Sequence, residues 1–122
     1  MPATLLQKVD PSQKITFTGT FGPITLCSIE GILHVWVKDT RLILSPNERK
    51  IMVMLVQKPE IPIPHRAIEA ALYPGLAPSV NSIKVFVWHI RKKMNAVEPG
   101  AGNHLRIEPR LGYFLSKTPA PQ

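Results

Sequence analysis

Apolar residues recur along the chain with two different periods, and prolines cut the sequence into the windows where each period holds. Proline breaks helix interiors and central strands. The uninterrupted windows 24–45, 47–58, 65–73 and 79–98 are therefore the candidate elements. ITFTGTF at 15–21, ITLCSI at 24–29, ILHVWVK at 32–38 and RLIL at 41–44 are rich in β-branched and aromatic residues and read as four short strands. Gly22-Pro23, Glu30-Gly31 and Asp39-Thr40 separate them at turn-like points, which predicts an antiparallel meander.

The period then changes to that of a helix. Ser45-Pro46-Asn47-Glu48 places serine at an N-cap, proline at the first helical position and glutamate three residues after the serine, which makes a capping box. Ile51, Met52, Leu55 and Val56 follow as an apolar stripe, and the helix should stop near Lys58 because Pro59 restricts the residue before it. HRAIEAALY at 65–73 reads as a short helix with Ile68, Ala71 and Leu72 on one face, ended by Pro74-Gly75. Ile83, Val87, Ile90, Met94 and Val97 recur at alternating spacings of four and three and predict one face of a long helix over 80–96. Ser79 or Asn81 can cap it, and Pro99-Gly100 ends it. In NHLRIEPRLGYFLS, Leu105–Ile107 should pair with Tyr113–Leu115 around a turn, with Pro109 at a turn-favoured position and Gly112 for a positive φ.

On a helical wheel, Asn81, Val85, Trp88 and Lys92 lie opposite the apolar stripe of the long helix, flanked by Lys84 and His89. A face that mixes amide, aliphatic, aromatic and cationic groups suits a DNA major groove about 12 Å wide. Asn81 could pair with an adenine edge, Val85 could touch a thymine methyl, and Lys84 and Lys92 could meet phosphate or guanine. A merely solvated face has the same polar content. Trp88 fits the sugar-phosphate backbone, a second subunit or the protein's own core. Arg110, at the turn of the C-terminal hairpin, suits a narrow minor groove, where negative potential is strongest.

Composition supports a polyanionic partner. The chain has 122 residues, the length of one domain, with 44% apolar and 19% charged residues and a net charge of +7. Residues 80–122 carry seven basic and two acidic side chains, so most of the excess lies in the last third. Charge alone does not choose between nucleic acid and anionic membrane. No apolar run approaches the roughly 20 residues of a membrane span, and the N-terminus lacks the pattern of a secretory signal. The lone Cys27 can form neither an internal disulfide nor a cysteine-based zinc site; it reads as a small buried hydrophobe and favours a reducing cytosol. His34, His65, His89 and His104 are scattered, no carboxylates are paired, and no glycine-rich phosphate loop is present. No enzyme activity, cofactor or metal is expected.

The segment 42–116 resembles the DNA-binding domain of OmpR/PhoB-type response regulators, a winged helix-turn-helix. LILSPNERKIMVML, KPEIPIPHRAIEAALY, SVNSIKVFVWHIRKKM and RIEPRLGYFLS carry the resemblance. The family pattern has L-T-P-x-E before the first helix, H-P-E/G in a turn, V-D-V-H-I-x-x-L-R-x-K-L in the third helix and R-G-x-G-Y at the wing. The resemblance implies a recognition helix over 80–96 in the major groove and a wing over 105–115 near a minor groove. Asn81, Ser82, Lys84, Val85, Trp88, His89 and Lys92 would face the groove. It also implies that the loop Tyr73–Ser79 can touch RNA polymerase, and that a homodimer can assemble on DNA.

The departures are specific. The family usually has arginine where Asn81 stands, often two arginines where Trp88-His89 stand, an aromatic at Arg49 and a basic residue at Phe114. The wing here reads Pro109-Arg110-Leu111-Gly112-Tyr113. A target sequence is therefore not inherited. The 41 residues before Leu42 are too few for a receiver domain, which predicts an orphan DNA-binding domain or an excised piece of a longer one.

The expected fold is α+β: tail 1–13, sheet 14–44, three helices in 45–97, wing 104–116 and tail 117–122. The expected function is sequence-specific binding of double-stranded DNA by a cytoplasmic bacterial transcriptional regulator, without a membrane. Arg91, Lys92, Lys93, Arg106 and Lys117 would contact phosphates, and Arg110 would probe the minor groove. The alternative is a protein-interaction module that has lost DNA readout and binds RNA polymerase or another regulator through Val85, Phe86 and Trp88.

Overall fold

The computed structural model describes residues 15–75 and 80–121; the side chains of 15–18 and 80–82 lie outside that description. The expected tail 1–13, the Ser79 cap and the end of the 73–79 loop therefore fall outside the described residues. Strands β1 (Ile15–Phe21), β2 (Ile24–Ile29), β3 (Ile32–Val37) and β4 (Thr40–Arg41) form an antiparallel meander in sequence order. Helices α1 (Pro46–Gln57), α2 (His65–Leu72) and α3 (Val80–Val97) follow. A short 3-10 helix (Ala101–His104) leads into the hairpin of β5 (Leu105–Glu108) and β6 (Gly112–Leu115).

Alternation along β2 and β3 decides what the sheet buries. Ile24, Leu26, Leu33, Val35 and Val37 join the main core, whereas Cys27, Ile29 and Trp36 form a separate small cluster. Cys27 is fully buried, and burial pushes its thiol pKa up, which suits a packed thiol better than a reactive one.

The expected strand at 41–44 is a correction. Only Thr40–Arg41 pair with β3, at Trp36↔Arg41 and Val37↔Thr40. Leu42 and Leu44 are nevertheless buried and Ile43 is exposed. The Leu42 N–H still donates to the Val35 carbonyl of β3 at 2.8 Å, and the inward–outward alternation persists beyond that last bond.

The capping box at the start of α1 is formed. The Glu48 N–H donates to Ser45 Oγ at 3.2 Å, and the Ser45 N–H donates to Glu48 Oε1 at 3.0 Å. In α2, Ile68 and Leu72 are buried as expected, but Ala71 is exposed and Glu69 takes the third inward position. In α3, Ile83, Val87, Ile90 and Met94 are buried at 0–2% exposure, and Val97 packs partly against the same core. Burying each such side chain contributes about 1.5–3 kcal/mol. This stripe is what turns the opposite face of α3 outward.

The residues after β6 are not a free tail throughout. The Lys117 N–H donates to Glu60 Oε2 at 2.8 Å, and the Ala120 N–H donates to the Asn103 carbonyl at 2.9 Å.

Candidate nucleic-acid interface

The outward face of α3 carries Lys84, Val85, Trp88, His89 and Lys92, all exposed. Asn81 and Ser82 belong to the first turn of the same helix, but their side chains lie outside the described residues. Trp88 is 55% exposed, which excludes packing into the protein's own core. It is held from both sides instead. The Lys92 ammonium sits 4.5 Å from the indole centroid, a cation–π distance, and the His89 ring meets it edge-on at 5.1 Å. Phe86 is half-buried against the core and is not free for a partner.

The cations near the end of the helix separate by role. Lys93 is internal: its Nζ donates to Glu48 Oε1 at 2.6 Å and to the Ile43 carbonyl at 2.9 Å. Its ammonium, expected to contact phosphate, is thus engaged within the fold. Burial pushes the Glu48 carboxyl pKa up, but the Lys93 hydrogen bond, the Ser45 N–H and the charges of Lys93 and His89 outweigh it, and the pKa falls below its ordinary value. Arg91 is half-buried, with Nε donating to the Gly102 carbonyl at 3.3 Å. That bond holds the 3-10 helix against α3, helped by the Gly102 N–H donating to Asn95 Oδ1 at 2.8 Å. Lys92 faces outward.

The hairpin stands beside this helix because its root is bound to the α1–α2 connection. The Ile63 N–H donates to the Tyr113 carbonyl at 2.8 Å, and the Tyr113 N–H donates back at 3.1 Å. Gly112 makes the approach feasible. Its φ is +142°, and a Cβ there would lie 2.0 Å from the Ile63 carbonyl oxygen. At the tip, the Leu111 N–H donates to the Glu108 carbonyl at 3.0 Å, closing a turn with Pro109 and Arg110 at its centre. Arg110 has φ +70°, so the left-handed centre of this turn falls on an arginine, while the expected positive φ of Gly112 lies two residues further on. Arg110 is exposed. Arg106 lies further back, its guanidinium 5.3 Å from the Phe114 ring centroid.

A cleft of about 710 Å³ runs between the start of α2, the outward side of α3 and the hairpin. Arg66, Lys84, Arg91 and Arg110 line it, with Glu108 as the one lining carboxylate. Such a surface can neutralise several phosphates at once. His65 and Arg66 were missed in the sequence; their position directly after Pro64, at a helix start, was the available signal. The His65 ring packs on Tyr113 with centroids 4.7 Å apart, which links the start of α2 to the hairpin.

A meander, three helices with the last presenting an open polar face, and a docked hairpin define a winged helix-turn-helix of the OmpR/PhoB type. Residues 39–115 match the family model described as the C-terminal domain of transcriptional regulatory proteins, and the chain belongs to that family of DNA-binding regulator domains, which are not enzymes. Three solved structures share the fold. The DNA-binding domain of Klebsiella pneumoniae RstA, solved in complex with the RstA box, is 21% identical over 84% of this chain and 100% of that one, with a TM-score of 0.62. Mycobacterium tuberculosis EmbR, solved with a low-affinity phosphopeptide, is 25% identical over 86% of this chain and 26% of EmbR, with a TM-score of 0.60. The C-terminal domain of the nisin resistance regulator NsrR is 25% identical over 84% of this chain and 98% of that one, with a TM-score of 0.58. No match is found among curated protein sequences. Among the described residues, no helix is long and apolar enough to cross a membrane, and no cluster of His, Cys, Asp and Glu could hold a metal ion.

Proposed function

We propose that this chain binds double-stranded DNA sequence-specifically as a bacterial cytoplasmic transcriptional regulator, with α3 in the major groove and the wing at a minor groove. The observation that carries this reading is the row Lys84, Val85, Trp88, His89 and Lys92, exposed on a helix whose opposite stripe is buried. Val85 and Trp88 supply apolar contact for thymine methyl groups, and Lys84 and Lys92 supply charge. Asn81 and Ser82 complete the base-facing set from the first turn of the helix. Arg66, Arg91, Arg106 and Lys117 serve phosphates, and Arg110 enters the minor groove. Phosphate contacts fix register, and base contacts carry sequence. The RstA domain, of the same fold, was solved with its DNA box, which supports this mode of use.

Selection of bound sequences from a random duplex pool tests the proposal. One enriched motif is expected, with affinity falling steeply with salt in proportion to the phosphates neutralised. Replacing thymine by uracil within the motif removes only methyl groups and should weaken binding at the positions that Val85 or Trp88 touch. An unenriched pool with a flat salt response would overturn the reading.

A further inference from the structure

A second surface, made by none of the residues proposed to touch DNA, lies on the side of the molecule formed by the β2–β3 turn and α1. It consists of two hollows that share Leu33 and Arg49. The larger, about 430 Å³, is walled by Ile32, Val53, Met54 and Ala71. The smaller, about 120 Å³, is lined by Leu42, Ile43 and Leu44. Ile32 is 49% exposed and Ile43 is 87% exposed, so aliphatic surface faces water at both ends. Large aliphatic side chains left this open in a cluster mark an interaction surface more often than solvated ones scattered singly do.

The charges around these hollows are of one sign. Arg49 and Lys50 line the larger, Arg41 and Arg49 line the smaller, and no carboxylate lines either. Neighbouring His34 senses the same field: its pKa is lowered first by burial and then by the charges of Arg41 and Arg49. A phosphate backbone would satisfy the cations but has no apolar group to fill the hollows. A segment with aliphatic or aromatic anchors between carboxylates satisfies both.

We infer that this basic-rimmed apolar surface docks a short, acidic, amphipathic segment of a partner protein, with its anchors in the hollows beside Ile32 and Ile43 and its carboxylates on Arg41, Arg49 and Lys50. The residues involved are separate from α3 and the wing, so such a partner could bind while DNA is held.

The probe is a short synthetic peptide with leucines at helical spacing and glutamates elsewhere, titrated into the full chain labelled with nitrogen-15. Two companion peptides replace leucine by serine or glutamate by lysine. Amide shifts are expected at Gly31, Ile32, Arg49, Val53 and Met54 and not along α3, and neither companion should reproduce them. The double variant Arg49→Glu, Lys50→Glu changes one half-buried and one exposed side chain and should weaken the peptide about tenfold, as loss of two screened attractions implies. Its thermal midpoint and the dispersion of its amide spectrum serve as the folding control. A second variant, Ile32→Ser with Ile43→Ser, tests the anchors without changing charge. Equal binding of the lysine peptide, or shifts confined to α3, would overturn the inference. So would the same amide shifts produced by duplex DNA or by anionic phospholipid vesicles. None of these outcomes depends on whether α3 reads DNA.

Discussion

Lys93 reaches from the third helix to Glu48 on the first, with its ammonium 2.6 Å from the carboxylate. The Glu48 side chain is 5% exposed and that of Lys93 38% exposed, so this is a half-buried pair. It fixes the helix that presents Lys84, Trp88 and Lys92 against the helix that opens the core. Lys93→Met should cost about 1–2 kcal/mol, less than the loss of a fully buried pair because water screens the lysine. Urea unfolding measures that cost. The slope of DNA affinity against salt should stay unchanged in this variant, whereas Lys84→Ala should reduce it by about one. A reduced slope for Lys93→Met would return Lys93 to the phosphate-contacting set.

The same carboxylate predicts how stability responds to acid. Glu48 has its pKa lowered in the fold from an ordinary value of 4.5. A depressed folded pKa means that its stabilisation is complete above the unfolded value and is lost as pH falls through the folded one. The acid limb of the stability curve should therefore begin below about pH 4.5. Glu48→Gln should flatten that limb. A residual slope should remain, because Glu60 is also lowered, first by the Ser116 hydrogen bond and then by the Lys117 N–H. Denaturant titrations at stepped pH would detect both effects. An acid limb unaltered by Glu48→Gln would refute the assignment.

At the wing root, Gly112→Ala should be severe. A methyl group there would collide with the Ile63 carbonyl and would hold an unfavourable φ of +142°. A loss of at least about 2 kcal/mol is expected from backbone strain combined with displacement of buried main chain. Hydrogen exchange should accelerate first at the Ile63 and Tyr113 amides. Unchanged protection at those amides would show that the hairpin docks some other way.

At the wing tip, Arg110→Gly should move two assays in opposite directions. Arg110 holds φ +70°, where a side chain costs about 1 kcal/mol relative to glycine. The glycine variant should gain up to about that much stability by thermal unfolding. It should also bind DNA more weakly, with the loss concentrated at A·T-rich flanks, where a narrow minor groove attracts arginine. Loss of stability, or undiminished binding, would contradict a strained arginine kept for contact.

What could be read from the sequence was local. The Ser45–Glu48 capping box, the Ile83–Met94 stripe and the hairpin register each depend on residues within a few positions of one another, or on one repeated spacing. The outward set on α3 followed from the same spacing. What was not legible has non-local causes. Lys93 finds its partners 45 and 50 residues away, so nothing near it in the chain distinguishes it from Lys92. Arg91 is drawn to Gly102 by the fold of the next turn. Leu42 and Leu44 kept the alternation of a strand because the core needs them, while the ladder with β3 ended at the Leu42 N–H bond to the Val35 carbonyl. The hollows beside Ile32 and Ile43 draw their walls from several elements, and no single periodicity announces them.

The paired main-chain bonds between Ile63 and Tyr113 have one further consequence. They splice the hairpin to the linker between the first two helices, which ties the wing to the helical core. In the proposed mode of binding, the spacing between the helix in one groove and the wing in the next is then set by the protein. On that proposal it would work as a gauge: a duplex whose groove spacing differs would have to bend or change its twist to be accepted, and its stiffness would enter the choice of site at base pairs that no side chain touches.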